Sequence, residues 1–151
     1  MAMGELIQLA HPVLVPRDMA KKILVVEDND DCRYLLARFL KSVGYEVVEA
    51  ATGLQGVHLA CRVCPDLILM DLSLPTLSGD EATARIKANQ ATRDIPVVIN
   101  TAWVIGDRCK RALEAGAAEV LHKPIELSEL HLVLKKYLET GHMTSTCAPI
   151  R

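Results

Sequence analysis

Carboxylate side chains directly follow two apolar runs of the sequence. Glu27 and Asp28 come after the run at residues 21–26, and Asp71 comes after the run at residues 67–70. A lone charge beside a buried strand is costly to desolvate unless a nearby group compensates it. These acids therefore either point into solvent at ordinary strand ends or belong to a common site.

A hydroxyl and an ammonium occupy comparable positions further along the chain. Thr101 follows the apolar run at residues 95–100, and Lys123 follows a short run at residues 118–122. If the runs form neighbouring parallel strands, all of these side chains meet at one edge of the sheet. Three clustered carboxylates repel one another unless a cation is present, and oxygen ligands of this kind suit Mg²⁺. Acids, a hydroxyl and an ammonium together suit the binding of a phosphoryl group.

The elements that must position these residues are short strands alternating with amphipathic helices. Five segments read as strands: residues 21–26, 46–50, 67–70, 95–100 and 118–122. The second is more polar than the others and is expected at an edge of the sheet. Apolar residues at three- and four-residue spacing predict a helix after each strand. This alternation predicts an α/β fold, a mostly parallel sheet covered on both faces.

Local signals set the limits of the predicted helices. The first helix is expected to end near Gly44, the second before Pro65 and the fourth near Gly116. Ser78 and Glu81 have the spacing of a capping box that opens the third helix. The side chains expected to face the core are Cys32, Leu35, Leu36, Phe39, Leu40, Val43, Leu54, Val57, Ala60, Cys61, Cys64, Cys109, Ala112, Leu113, Leu127, Leu130, Leu134 and Tyr137.

Composition argues against several classes of function. The 151 residues carry a formal net charge of −2 and no basic cluster, so direct nucleic-acid binding is not expected. Aromatic residues make up 3% of the chain, too few for a platform on which bases stack. An odd number of cysteines, five, without a secretory signal predicts reduced thiols in a cytoplasmic protein. No segment has the pattern of a membrane span.

Four segments together resemble the receiver domain of bacterial two-component response regulators. They are "ILVVEDND", "PDLILMDLSLPTLSG", "IPVVINTA" and "HKP", in the order and spacing of that family. The resemblance implies a flavodoxin-like, doubly wound sheet of five parallel strands in the order 2-1-3-4-5, with five helices. It places a receiver domain at residues 21–139, between an N-terminal extension at residues 1–20 and a tail at residues 140–151.

The resemblance also implies roles for the acidic residues. Asp71 matches the phosphoacceptor, whose carboxylate takes a phosphoryl group from a phosphohistidine on a partner protein. Glu27 and Asp28 match the acidic pair that binds Mg²⁺ beside Asp71. The backbone carbonyl of Ser73 matches a further ligand of the same ion.

Other matched residues bind the phosphoryl group or shape the site. Thr101 matches the switch hydroxyl that donates to a phosphoryl oxygen, and Lys123 matches the lysine that pairs with it. The family's usual cis peptide bond would lie between Lys123 and Pro124. Pro75 and Gly79 match the turn after the phosphoacceptor.

Three positions depart from the family pattern. Val120 stands where receivers usually carry an aromatic residue that rotates inward when the switch threonine moves, and valine has little to rotate. Asn100 is more polar than expected. Trp103 is expected to contact a partner or to shield the phosphoryl group and lengthen its lifetime. An unchanged rate of phosphate loss in Trp103→Ala would exclude the shielding role.

Histidine and cysteine residues outside this pattern suggest no second site. His58, Cys61 and Cys64 follow one another at three-residue steps on a predicted helix, but no fourth ligand is nearby. Packing is therefore expected rather than metal binding. His122 is expected to be packed or semi-exposed rather than a phosphodonor.

The expected function is that of a single-domain response regulator with no room for an output domain. A histidine kinase or a histidine phosphotransfer protein would phosphorylate it, and it would bind a downstream protein or pass the phosphoryl group on. It would catalyse only its own phosphorylation and dephosphorylation. A homodimer is a further possibility, to which the apolar residues 6–15 would add.

The sequence is also compatible with two alternative functions. An unphosphorylated receiver-like adaptor is favoured by Val120 and disfavoured by the intact acidic set. A phosphatase with an aspartyl intermediate would resemble haloacid dehalogenases, which place a second aspartate where this chain has Ser73. Sustained turnover of phosphate esters would support the phosphatase.

Overall fold

A single parallel sheet organises the chain. The computed structural model describes residues 20–102 and 106–139. Its strands are β1 (Lys22–Val26), β2 (Glu46–Ala50), β3 (Leu67–Asp71), β4 (Val97–Thr101) and β5 (Glu119–His122). They pair in the order β2-β1-β3-β4-β5, and every pair is parallel. The predicted fold class and strand order are confirmed, and the polar strand β2 lies at an edge as expected.

A helix follows each strand, as the apolar spacing predicts. The helices are α1 (Asp30–Ser42), α2 (Gly53–Val63), α3 (Gly79–Ala88), α4 (Asp107–Glu114) and α5 (Leu127–Leu138). Two of the helices start with a side-chain N-cap. The Asn29 side chain accepts a hydrogen bond from the backbone N–H of Cys32, and the Thr52 side chain accepts one from the backbone N–H of Gln55. These caps satisfy backbone N–H groups that have no partner inside the helix.

The sheet is buried on both faces because successive strand residues point to opposite sides. Leu67 and Leu69 of β3 pack with Val98 under α1 and α5, and Ile68 and Met70 pack under the other three helices. All residues of β3 and β4 are buried. A charged group at the end of either strand therefore lies at the boundary of the hydrophobic core.

Helical spacing predicts a wider buried stripe than the structure has. Leu35 is 65% exposed, and Leu54, Leu113 and Leu127 are each 50% exposed, so these core predictions are wrong. Val43 is 38% exposed, and Cys32 is also exposed. Each helix meets the sheet along a narrow strip, and residues on the flanks of its apolar stripe remain in water.

The capping box predicted for α3 does not form. Ser78 is the N-cap residue, but its side chain makes no capping hydrogen bond. The helix start is fixed by the backbone instead, since the N–H of Gly79 donates to the carbonyl of Leu72 at 2.9 Å.

The prediction that every cysteine is a reduced thiol is wrong at Cys64, which is disulfide-bonded. Cys32, Cys61 and Cys109 form no disulfide bond. Cys64 is the C-cap of α2 and has left-handed backbone dihedrals. The chain leaves the helix there, so helical spacing does not predict where the Cys64 side chain lies.

Several sequence predictions fall outside the described residues and stay predictions. They concern Trp103, the apolar residues 6–15 and the tail at residues 140–151. In the described part of the chain, every helix is too short or too polar to cross a membrane.

Candidate functional site

The strand ends converge at one edge of the sheet, as the sequence predicts. Val26 pairs with Met70 across β1 and β3, and Thr101 pairs with His122 across β4 and β5. The residue that follows or ends each strand therefore reaches the same edge. Glu27, Asp71 and Lys123 are close enough there for ion pairs.

Three carboxylates form the centre of this edge. One oxygen each from Glu27, Asp28 and Asp71 lies within 4.8 Å of the other two. Glu27 is 1% exposed and Asp71 is 5% exposed, whereas Asp28 is open to solvent. This set of hard oxygen ligands, with one open side, fits a divalent cation that keeps some of its water. It could hold a metal ion.

Lys123 lies between two of the acids. Its Nζ is 2.6 Å from Glu27 Oε1 and 3.6 Å from Asp71 Oδ1. Burial lowers the pKa of Lys123, but the hydrogen bond to Glu27 and the charges of Asp71 and Glu27 together raise it above its ordinary value. The ammonium is thus protonated at neutral pH, and it contacts two of the three acids.

The loop after β3 sets the position of Asp71. The backbone N–H of Ser73 donates to Asp71 Oδ1 at 3.2 Å. Gly79 packs so closely that a Cβ atom there would collide with the carbonyl oxygen of Asp71 and lie 2.8 Å from Leu72 Cα. Glycine is therefore required at this contact. This supports the prediction that Gly79 shapes the turn.

Arg33 is a supporting residue that the sequence analysis missed. Its Nη1 donates to the backbone carbonyl of Glu27 at 2.8 Å, and its Nη2 bonds Asp30 at 2.6 Å. Its Nε lies 3.4 Å from Glu49 on β2. These contacts tie the start of α1 to the loop that carries Glu27 and Asp28. No motif marks Arg33, because its contact with Glu49 depends on the packing of α1 against β2.

Thr101 and Val120 share one face of the sheet. Ile99 pairs with Val120, and Thr101 follows Ile99 by two positions, so their side chains point to the same side. Thr101 is fully buried, and Val120 packs against the core cluster on that face. Val120, where receivers usually carry an aromatic residue, thus lies on the same face of the sheet as the Thr101 side chain.

The remaining sequence candidates do not join this site. His58 and His122 are exposed. Within residues 20–102 and 106–139, no metal-binding group includes His58, Cys61 or Cys64. The peptide bond between Lys123 and Pro124 is cis, as the resemblance implies.

The fold and the acidic edge define a receiver-type α/β protein. Residues 23–135 match the response regulator receiver domain family, and the chain belongs to that family. The resemblance found in the sequence is thereby confirmed.

Named relatives agree with this assignment. The polar-differentiation response regulator DivK of Brucella ovis is 35% identical over 120 residues, which are 80% of this chain and 98% of the relative. The receiver domain of the sensor histidine kinase PA1611 of Pseudomonas aeruginosa is 36% identical with a TM-score of 0.75. The match covers 80% of this chain and 99% of that one. That structure has a magnesium ion coordinated in its active-site cleft.

A chemotaxis protein has the same fold at lower identity. CheY4 of Vibrio cholerae is 25% identical with a TM-score of 0.74, over 79% of this chain and 99% of that protein.

Proposed function

We propose that the chain is a phosphoacceptor response regulator in which Asp71 receives the phosphoryl group. The observation that carries this proposal is the placement of Asp71. Its carboxylate is 5% exposed, belongs to the group of three acids and lies 3.6 Å from the Lys123 ammonium. A nucleophilic carboxylate needs nearby positive charge to accept an anionic group, and this edge supplies it.

In the proposed reaction, an Asp71 oxygen attacks the phosphorus of a phosphohistidine on a partner protein. The new P–O bond forms as the P–N bond breaks, and the imidazole nitrogen leaves with the electron pair. Glu27, Asp28, Asp71 and the carbonyl of Ser73 would hold Mg²⁺. When bound, the ion would neutralise charge on the phosphoryl oxygens.

Lys123 and Thr101 would recognise the product. Lys123 is bonded to Glu27 at 2.6 Å, so pairing with a phosphoryl oxygen on Asp71 requires its ammonium to move toward Asp71. The hydroxyl of Thr101, at the end of the adjacent strand, would donate to another phosphoryl oxygen. Exchange of the Lys123 partner is then one local step of activation.

The proposed partners follow from the family. A histidine kinase or a histidine phosphotransfer protein would donate the phosphoryl group, and a downstream protein would bind the phosphorylated form or receive the group. The chain would act as a cytoplasmic single-domain regulator. It would turn over no substrate other than its own phosphoryl group.

The proposal is tested by incubation with Mg²⁺ and phosphoramidate, followed by intact mass measurement. Wild type should gain one phosphoryl group, and Asp71→Asn should gain none. Asp94→Asn is the matched control, because Asp94 is exposed and precedes β4 at the other end of the sheet. Uptake by Asp71→Asn equal to that of wild type would exclude Asp71 as the acceptor.

An unphosphorylated adaptor is the second candidate function, and Val120 is the observation that favours it. Valine beside the switch hydroxyl lacks the ring whose movement usually reports phosphorylation. An adaptor would take up no phosphoryl group from phosphoramidate. If the protein is such an adaptor, wild type and Asp71→Asn would also bind the partner protein with equal affinity.

A further inference from the structure

The backbone of Glu27 is held by hydrogen bonds on both of its sides. Its N–H donates to the carbonyl of Ala50, the last residue of β2, at 3.0 Å. Its carbonyl accepts from Nη1 of Arg33 at 2.8 Å. That carbonyl belongs to the planar peptide unit that joins Glu27 to Asp28. The orientation of this unit therefore affects the directions in which the two acidic side chains leave the backbone.

The guanidinium of Arg33 is itself held in place by two carboxylates. Its Nη2 lies 2.6 Å from Asp30 Oδ1, and its Nε lies 3.4 Å from Glu49 Oε1. The Asp30 side chain is 86% exposed, so this ion pair contributes little to stability. The planar guanidinium has its N–H groups in fixed directions, and three contacts on three different nitrogens define its orientation. These contacts suit a residue that positions the backbone beside the acids.

The positive charge of Arg33 by itself opposes Mg²⁺ binding, because like charges repel. Loss of this charge would also leave Asp30 and Glu49 uncompensated, and their carboxylates would attract a cation. Charge alone therefore predicts tighter Mg²⁺ binding when Arg33 is replaced by a neutral residue. Loss of the contact with the Glu27 carbonyl predicts weaker binding. The two effects have opposite signs, so an experiment can separate them.

We propose that Arg33 is a positioning residue for Mg²⁺ that acts through the peptide unit between Glu27 and Asp28. Its contact holds the loop in the arrangement that brings one oxygen of each acid within 4.8 Å of an oxygen of Asp71. Without this contact, binding of the ion would have to order the loop, and the cost of ordering lowers the affinity. The inference rests on the Mg²⁺ binding that is part of the proposed function.

The test is a Mg²⁺ titration of the full chain, followed by amide chemical shifts, in wild type, Arg33→Gln and Arg33→Lys. Both variants lose the guanidinium, but the lysine keeps the positive charge. We expect the affinity for Mg²⁺ to fall by about threefold to tenfold in both, the range of one net hydrogen bond. The amide nitrogen of Asp28 belongs to the same peptide unit as the Glu27 carbonyl. Its resonance should therefore shift in both variants before Mg²⁺ is added.

Arg38→Gln is the matched control. Arg38 is an exposed arginine of α1 whose Nη1 donates to the hydroxyl of Tyr34, and this variant should bind Mg²⁺ like wild type. Wild-type or tighter affinity in Arg33→Gln, or an equal loss in Arg38→Gln, would overturn the role of Arg33.

The outcome for wild type separates this inference from the proposed function. Absence of Mg²⁺ binding by wild type would overturn both the role of Arg33 and the metal site of the proposed function. Failure of wild type to take up a phosphoryl group, with Mg²⁺ still bound more weakly by the Arg33 variants, would overturn the proposed phosphoacceptor and support the role of Arg33.

Discussion

Lys123 is shared unequally between two carboxylates, and this inequality defines the resting state of the site. Glu27 holds the ammonium at 2.6 Å, while Asp71 lies 3.6 Å away. Glu27 is 1% exposed, so its charge depends on Lys123 for compensation. A metal ion or a phosphoryl group would change the charge that each acid presents. We therefore expect the pairing of Lys123 to change when either a metal ion or a phosphoryl group is bound.

Substitution of Glu27 should weaken Mg²⁺ binding. Glu27→Gln removes one of the three clustered charges, and we expect the affinity for Mg²⁺ to fall by about tenfold or more. The measurement is a Mg²⁺ titration followed by amide chemical shifts. Glu46→Gln is the matched control, because Glu46 is exposed at the opposite end of β2. Equal Mg²⁺ affinity in Glu27→Gln and wild type would show that Glu27 is not a ligand.

The ion pair of Lys123 should make stability depend on pH in the alkaline range. The pKa of Lys123 is raised in the folded state, so folding favours the protonated form. This stabilisation is complete below the unfolded value of about 10.4 and is lost as pH rises through the raised pKa. The free energy of unfolding should therefore differ between wild type and Lys123→Met below about pH 10, and the difference should shrink above it.

Urea unfolding in the presence of a chelator measures this difference without bound metal. Lys123→Met leaves the buried Glu27 without its ammonium, and we expect a loss of about 1–3 kcal/mol near pH 8. Lys41→Met, a change at an exposed residue of α1, should show little difference at any pH. A difference for Lys123→Met that stays constant up to about pH 11 would contradict the assignment.

The junction between β3 and α3 holds the candidate phosphoacceptor in place. Asp71 is the last residue of β3, and α3 starts at Gly79, whose backbone N–H donates to the carbonyl of Leu72 at 2.9 Å. Close packing of backbone on backbone leaves this loop little freedom. The geometry of Asp71 therefore depends on how α3 docks, as well as on the strand that precedes it.

Gly79→Ala should displace this junction. The added Cβ would collide with backbone atoms of Asp71 and Leu72, which cannot move aside as a side chain does. We expect a loss of about 1–3 kcal/mol in the free energy of unfolding and slower phosphorylation by phosphoramidate.

Gly44→Ala is the control variant, because it introduces backbone strain without a steric clash. Gly44 has a φ of +100° and no neighbour within 4 Å of an added Cβ. The variant should lose about 1 kcal/mol of stability through its backbone but be phosphorylated at the wild-type rate. Normal phosphorylation of Gly79→Ala would show that the junction does not control Asp71.

The sheet as a whole provides the rigid frame for the site. The buried strands β1, β3 and β4 carry apolar side chains into clusters on both faces. The acids at the carboxyl edge are costly to desolvate, and burial of this apolar surface offsets that cost. The proposed function therefore depends on the hydrophobic core that holds these strand ends in place.

Two leucines of different burial test this dependence. Leu69 is 2% exposed in the centre of the sheet, and Leu69→Ala should lower the free energy of unfolding by about 2–5 kcal/mol. Leu132 is 68% exposed, and Leu132→Ala should change it by less than about 0.5 kcal/mol. Urea denaturation measures both. Similar losses in the two variants would show that the core does not dominate stability.

Short-range patterns in the sequence determined the strands, the alternation of helices and the residues at the strand ends. Apolar runs followed by Glu27, Asp71, Thr101 or Lys123 are local features, and parallel strands end at the same edge by geometry. The resemblance to receiver domains then supplied the strand order. These elements were predictable because they depend on neighbours in the chain.

The tertiary structure decided what depends on distant neighbours. The partner of Lys123 is 96 residues away in the sequence, so its closer contact with Glu27 than with Asp71 could not be predicted from spacing. Helical periodicity could not show that Leu35 would remain exposed, because the other elements determine how much of each stripe is covered. The buried acceptor of Asn100 is likewise unpaired only in the packed protein. Burial and pairing depend on how the elements pack in the folded protein, whereas the local sequence pattern determines only the strands, the helices and the residues at their ends.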